Sequence, residues 1–367
     1  MYNVFVKMCQ FARRSTVKAI KNVQLNGTLT DITVDAGKII AIGKTDACGL
    51  DFGGARIYPG LIDTHSHGCG GQDTMGGDLS AMADFQLAHG TTTWYPTTMT
   101  ASEEDIIRTT SQNIDIGHGA SIPGFHLEGP FINAKYKGAQ NGEFIIPPSA
   151  AFFSKCKNLK KVTLAPEWAG AIEFIRECPA VVSLGHTDCD YEVASAAFEA
   201  GARCLTHTFN AMPGIHHRAP GPIGAGCERD DVYAELICDG KHVHTAAVKM
   251  LIKLFGEDRI ILISDSMLAV GMPDGEYIFG GQPVVVKDGV AVTQDGRLAG
   301  STATLFDCVR TAISFGIPEG IAVKMASENP ARLMGLNKGR IEVGYAADFI
   351  IVDDDFGLIR AIARGEF

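Results

Sequence analysis

The stretch Tyr58-Pro-Gly-Leu-Ile-Asp-Thr-His65-Ser-His67-Gly-Cys-Gly-Gly71 decides how the rest of the chain is read. A short apolar run, Leu61-Ile62, ends in His65-Ser-His67 and then in a glycine cluster. Residues two apart on a strand share a face. His65 and His67 therefore point the same way at a strand end, where the glycines let the chain turn sharply. Two imidazoles so placed are half of a metal site. Taken alone, they read equally well as a polar turn.

Working outward, apolar segments alternate with amphipathic ones, the pattern of βαβ units and a parallel sheet. Strands are expected at 61–65, 91–96, 122–127, 161–165, 181–185, 203–207, 233–238 and 259–264. Helical patterns lie at 79–89, 102–113, 149–157, 168–178, 190–200, 244–255 and 302–316, with Gly90 and Gly201 where C-caps would fall. This predicts an α/β protein built on a (β/α)8 barrel. A doubly wound sheet competes, but no GxGxxG follows a strand. A hairpin with its turn at Lys287-Asp-Gly289 is expected as an insertion at about 276–300.

Val17 to Ile42 reads as short antiparallel strands, turned at Asn26-Gly27 and Asp35-Ala-Gly37. Gly339–Gly344 and Ala347–Val352 read as strands at the far end. The two ends are expected to pair into one small β-sandwich. The expected division is 1–58 with 335–367 for that sandwich, and 59–334 for the barrel.

The totals fit a soluble globular protein with a real core. The chain has 367 residues, 46% hydrophobic and 20% charged, enough for a large core. A net charge of −10 argues against nucleic-acid binding, while leaving room for an anionic substrate in a locally positive pocket. No apolar run approaches the ~20 residues that span a bilayer, so no membrane partner is expected. Residues 1 to about 16 read as an extension, not as a secretory signal. The ten cysteines include no CxxC and suit reduced, buried thiols in a cytoplasmic protein. Cys69, just past the histidine pair, reads as a small packed thiol.

The polar residues at the strand ends carry the function. After His65 and His67 come His126-Leu-Glu128, Gly185-His186-Thr, Thr206-His207-Thr and Ser264-Asp265-Ser. A barrel gathers the C-terminal ends of its strands at one face, where active sites sit. Four histidines (His65, His67, His186, His207) and two carboxylates (Glu128, Asp265) then converge on a divalent cation, zinc or iron by ligand type.

These motifs resemble the amidohydrolase superfamily. His126-Leu-Glu128-Gly-Pro-Phe-Ile-Asn, Lys137-Gly-Ala139-Gln140-Asn, His207-Thr-Phe-Asn210-Ala211-Met-Pro, Asp239-Gly-Lys-His242 and Leu298-Ala299-Gly300-Ser narrow the resemblance to its amino-sugar-phosphate deacetylases. The resemblance runs from about residue 20 to the end of the chain. It implies hydrolysis of N-acetylglucosamine 6-phosphate to glucosamine 6-phosphate and acetate, with a sugar phosphate as the small-molecule partner. It implies that Glu128, His186 and His207 hold the shared metal. His65 and His67 would hold a second ion with Glu128 bridging, giving one or two ions per chain. Asp265 adjoins them and matches the catalytic acid/base. Ala139, Gln140, Asn210, Ala211, Arg218, His242, Leu298, Ala299 and Gly300 match substrate contacts, and a homodimer is implied, in which a neighbour can complete the phosphate site.

The chemistry agrees. An acetamide is a poor electrophile and water a poor nucleophile. A divalent ion lowers the water's pKa toward ~7 and polarises the carbonyl, and a carboxylate then carries the proton to the leaving amine. Arg218 offers a bidentate fork for a phosphate. Gln140 departs from the family's frequent histidine, since an amide donates a hydrogen bond but carries no titratable proton. Lys135 and Lys137 read as solvated loop charges. Three other readings compete: the galactosamine analogue, a cyclic-amide hydrolase, and a silent barrel scaffold.

Overall fold

Eight strands form one parallel sheet in sequence order: Leu61–Ser66, Thr91–Thr98, Phe125–Glu128, Leu159–Leu164, Val181–Leu184, Cys204–Leu205, Tyr233–Ile237 and Ile260–Ile263. The structure is a computed structural model and describes residues 17–366; the expected extension at 1–16 lies outside the described residues. The sheet closes into a barrel where the Asp265 N–H donates to the His65 carbonyl at 2.9 Å. Ser266 pairs in parallel with Ser66 just beyond.

A helix follows each strand: Leu79–Ala88, Glu103–Thr110, Ala150–Phe153, Ala171–Glu177, Tyr191–Ala200, Gly221–Cys227, Thr245–Phe255 and Leu305–Ser314. Their starts are chemically marked. Asp78, Ser102, Ser149 and Asp190 accept from first-turn N–H groups, and Thr304 with Asp307 forms a capping box. Leu127, Val162, Leu184, Phe198, Leu236 and Leu262 are fully or almost fully buried in one apolar cluster between sheet and helices. Each such side chain contributes about 1.5–3 kcal/mol by leaving water.

Both chain ends meet in one seven-stranded sheet, where Phe349–Val352 pairs antiparallel with Arg56–Pro59. A register shift between Ile20 and Val23 divides one edge of the first strand between Gly49–Asp51 and Arg56. The sheet buries its own core of Ile20, Val23, Ile32, Ile57, Phe349 and Ile351.

Several elements differ from expectation. Gly339–Gly344 is a turn, since Gly339 and Gly344 sit at φ +78° and +92°, left-handed angles that no strand uses. The sheet's last strand is Leu358–Ile362 instead. The third barrel strand starts at Phe125, because Pro123 lacks an N–H for the ladder. The sixth is only Cys204–Leu205, since the chain turns left-handed at His207.

The Gly221–Cys227 helix carries no helical pattern, because three of its residues are glycine; a side chain at Gly226 would lie 3.1 Å from Leu205, so the small residues let the helix pack close. Short helices at Glu319–Met325 and Glu328–Leu333 precede the return to the terminal sheet. The expected hairpin is a three-stranded sheet, Gly275–Phe279, Gln282–Lys287 and Val290–Thr293, with its tight turn at Asp288-Gly289. No described helix is long and apolar enough to cross a membrane.

Candidate metal centre and active site

Glu128, the last residue of the third barrel strand, is the hub. Its Oε1 lies 3.1 Å from His65 Nε2 and 3.2 Å from both His186 Nε2 and His207 Nε2. Its Oε2 lies 3.1 Å from His67 Nε2. Asp265 Oδ1 closes the ring at 3.5 Å from His65 Nε2 and 3.3 Å from His67 Nε2. The six groups expected to converge do so, and all are buried.

The backbone is strained to aim them. His186, His207 and Asp265 have φ of +48°, +28° and +46°. Non-glycine residues in such regions cost on the order of 1–3 kcal/mol each and persist where the surroundings hold them. Here each turns inward over the barrel mouth just after a strand. The Asp265 carbonyl is tied by the Ser301 N–H at 2.7 Å.

The other ring nitrogens fix what the Nε2 atoms can be. Nδ1–H of His67 donates to Thr97 O at 3.2 Å, that of His186 to Tyr136 O at 2.8 Å, and that of His207 to Asn210 O at 3.1 Å. His65 Nδ1 faces Glu235 Oε2 at 3.4 Å. With Nδ1 donating, each neutral ring turns a bare lone pair inward. Four ring nitrogens and two carboxylates then share one space, with Gln140 Nε2 donating to Glu128 Oε2, and this is the donor set of a divalent cation. Two overlapping triads qualify, His65/His67/Glu128 and Glu128/His186/His207, each with ligand atoms within 4.8 Å of one another.

The electrostatics point the same way. Burial lowers the affinity of His65 and His67 for protons, but Glu128 and Asp265 more than offset it, lifting them to about 10 and about 9. Burial raises Asp265, yet His65 and His67 bring it down to about 2. The cluster calls for positive charge at its centre.

His126, also buried, takes no part. It bonds Thr97 and Thr163, and burial with Lys161 nearby holds it well below its usual pKa.

A cavity of about 360 Å³ opens from this centre. Ala139, Gln140, Asn210, Ala211, His242, Leu298 and Gly300 line it. Ala299 is buried behind the wall. Arg218 does not reach the cavity of its own chain; it is exposed on the loop after Met212, against His217 Nε2 at 2.8 Å. His216 and Ala219 pair across that loop.

Gln140, in the cavity wall as expected of a substrate contact, also bonds a metal-centre residue. Its Nε2 donates to Glu128 Oε2 at 2.6 Å and its Oε1 accepts from the Thr100 N–H at 2.7 Å. The side chain thus clamps Glu128, while its NH2 group keeps a second N–H. Lys135 lines the cavity while pairing with Asp188 at 2.8 Å. Arg297 and Tyr136 line it unforeseen. Arg297 stands one residue before the Leu298–Gly300 segment, in the loop after the strand Val290–Thr293, and no local pattern marks it.

The Amidohydrolase family profile matches residues 56–366. An N-acetylglucosamine-6-phosphate deacetylase of Vibrio furnissii is 39% identical over 91% of this chain and 89% of its own. An N-acetylgalactosamine-6-phosphate deacetylase of Escherichia coli O157:H7 is 37% identical over 84% of this chain and 87% of its own. The crystal structure of an N-acetylglucosamine-6-phosphate deacetylase from Thermotoga maritima superposes with a TM-score of 0.88 at 34% identity, covering 95% of this chain and 98% of that one.

Proposed function

The chain belongs to the amidohydrolase family, and on that premise we propose that it removes the acetyl group from N-acetylglucosamine 6-phosphate in amino-sugar catabolism. The observation that carries this is the convergence of four imidazole Nε2 atoms on the single carboxylate of Glu128. Glu128, His186 and His207 hold one ion; His65, His67 and Glu128, with Asp265 beside them, hold a second. Zinc or iron suits these ligands. An ion so held would make the attacking water acidic and draw electrons from the acetyl carbonyl.

The chain's own groups do the rest. Asp265, kept ionised, takes the proton of the attacking water and returns it to the amine nitrogen as the C–N bond breaks. Asn210, Ala211 and Leu298 shape the sugar site. His242 meets the phosphate, its charge favoured by Asp239 Oδ2 at 2.6 Å. Burial lowers the His242 pKa and Asp239 raises it further, to a net increase. Arg218, exposed and outside its own cavity, serves a neighbouring subunit in a homodimer. The buried thiols of Cys69, Cys189, Cys204, Cys238 and Cys308, none of them in a disulfide, suit a cytoplasmic enzyme.

The test is acetate release from N-acetylhexosamines with and without a 6-phosphate, under several added metals. N-acetylglucosamine 6-phosphate is expected to turn over fastest. Equal rates for phosphorylated and plain sugars would remove the phosphate assignment. Faster release from the galactosamine epimer would shift the substrate to that of the Escherichia coli relative.

Gln140→Ala deletes the clamp on Glu128 and leaves the Thr100 N–H unpaired. A lost partner of a buried charged group costs about 1–3 kcal/mol. Metal affinity is expected to fall about 10–100-fold, as for other groups that orient ligands, with KM almost unchanged. A raised KM at constant metal affinity would return Gln140 to the role of a substrate donor.

A further inference from the structure

Beneath the metal centre, inside the barrel, lies an ion pair with no part in the chemistry above. Lys161 of the fourth strand and Glu235 of the seventh are both fully buried. Burying two charges costs several kcal/mol per ion unless their remaining bonds are satisfied. Glu235 Oε1 is saturated: Lys161 Nζ contacts it, and Thr64 Oγ1 donates to it at 2.9 Å. Lys161 Nζ also reaches the Thr64 carbonyl at 3.4 Å. Oε2 is left facing His65 Nδ1 at 3.4 Å.

His65 is thereby set apart from its fellow ligands. His67, His186 and His207 donate Nδ1–H to backbone carbonyls, whereas His65 faces a side-chain charge. The neighbouring ring cannot substitute. His126 stands edge-on to His65 at 4.5 Å between centroids, and both its nitrogens are taken by threonine hydroxyls.

We propose that Glu235, anchored by Lys161 and Thr64, is the positioning residue that holds His65 with its Nε2 turned to the metal. The buried pair then decides whether the His65/His67/Glu128 position fills, independently of the Glu128/His186/His207 position. This rests on the two-ion reading above. A carboxylate acceptor fixes the tautomer and orientation of a ligating imidazole and raises its basicity, and losing such a partner typically weakens metal binding 10–100-fold.

The test compares two double variants, because Glu235→Gln alone would strand a buried lysine. Lys161→Met/Glu235→Gln removes both charges but keeps an oxygen that can accept from His65 Nδ1. Lys161→Met/Glu235→Leu removes the acceptor as well, and replacing a buried pair by apolar groups of similar volume is often neutral or stabilising. Zinc per chain is counted by mass spectrometry after dialysis, and both affinities are measured by competition with a chelator. Circular dichroism of the metal-free proteins checks the fold.

The unsubstituted protein is expected to hold two ions. The glutamine variant should also hold two, and the leucine variant one, with the weaker site 10–100-fold weaker still and the other unchanged. Two ions at unaltered affinity in the leucine variant would overturn the proposal. Equal losses in both variants, or loss of both ions in either, would overturn it too. A single ion in the unsubstituted protein would overturn it together with the two-ion reading, leaving the deacetylase assignment to the acetate assay.

Discussion

Asp265→Asn is expected to lower turnover by about 10²–10⁴, the usual contribution of a positioned general base, while the protein keeps its metal. The substitution is nearly isosteric, and asparagine tolerates the left-handed backbone that Asp265 adopts at φ +46°. The anchors of that turn are main-chain bonds, Asp265 N–H to His65 O and Ser301 N–H to Asp265 O, and survive the change. What disappears is a carboxylate held at about 2, below every working pH, because His65 and His67 more than offset the penalty of its burial. An amide at the same place takes no proton from water and returns none to the amine. Acetate release and metal content, measured on one preparation, check this. Turnover within tenfold of the unsubstituted protein would take Asp265 out of proton transfer. Loss of an ion in step with turnover would make it chiefly a ligand.

Much of this centre was legible because a barrel turns sequence position into spatial position. A polar residue just past an apolar strand must reach the catalytic mouth, so six such residues from five strands had to meet. The fold was legible by the same rhythm, down to the joining of the two chain ends.

What escaped has physical reasons. The left-handed turns at His186, His207 and Asp265 leave no mark in composition, since their conformation is imposed by the neighbours. Lys161 stands in Leu159-Lys-Lys-Val-Thr-Leu164, where a lysine beside another lysine reads as a solvated edge; only the Glu235 carboxylate across the barrel makes its burial tolerable. Gln140 reads as a substrate donor, and nothing local shows that its amide also bonds Thr100 and Glu128, both distant in sequence. Arg218 matches a phosphate contact by motif, and motif does not show that its side chain lies exposed against His217, outside the cavity.

Glu128→Ala is expected to be the most damaging single change at the centre, and comparison with the histidine pair shows why. Glu128 is the one group common to both triads, with one oxygen toward His65, His186 and His207 and the other toward His67. Without it, the His186/His207 position has two imidazoles and no charge, short of the three protein ligands usual for a catalytic ion. The His65/His67 position keeps Asp265 and is only weakened. Metal content should fall below one ion per chain, and turnover should fall by more than about a thousandfold, since both water activation and carbonyl polarisation depend on the ion. His65→Asn/His67→Asn, by contrast, leaves Glu128, His186 and His207 complete. That double variant should hold one ion and retain measurable acetate release. Two ions bound to the Glu128 variant would show that the carboxylate bridges nothing. No ion bound to the double variant would show that the two positions fill as a single site.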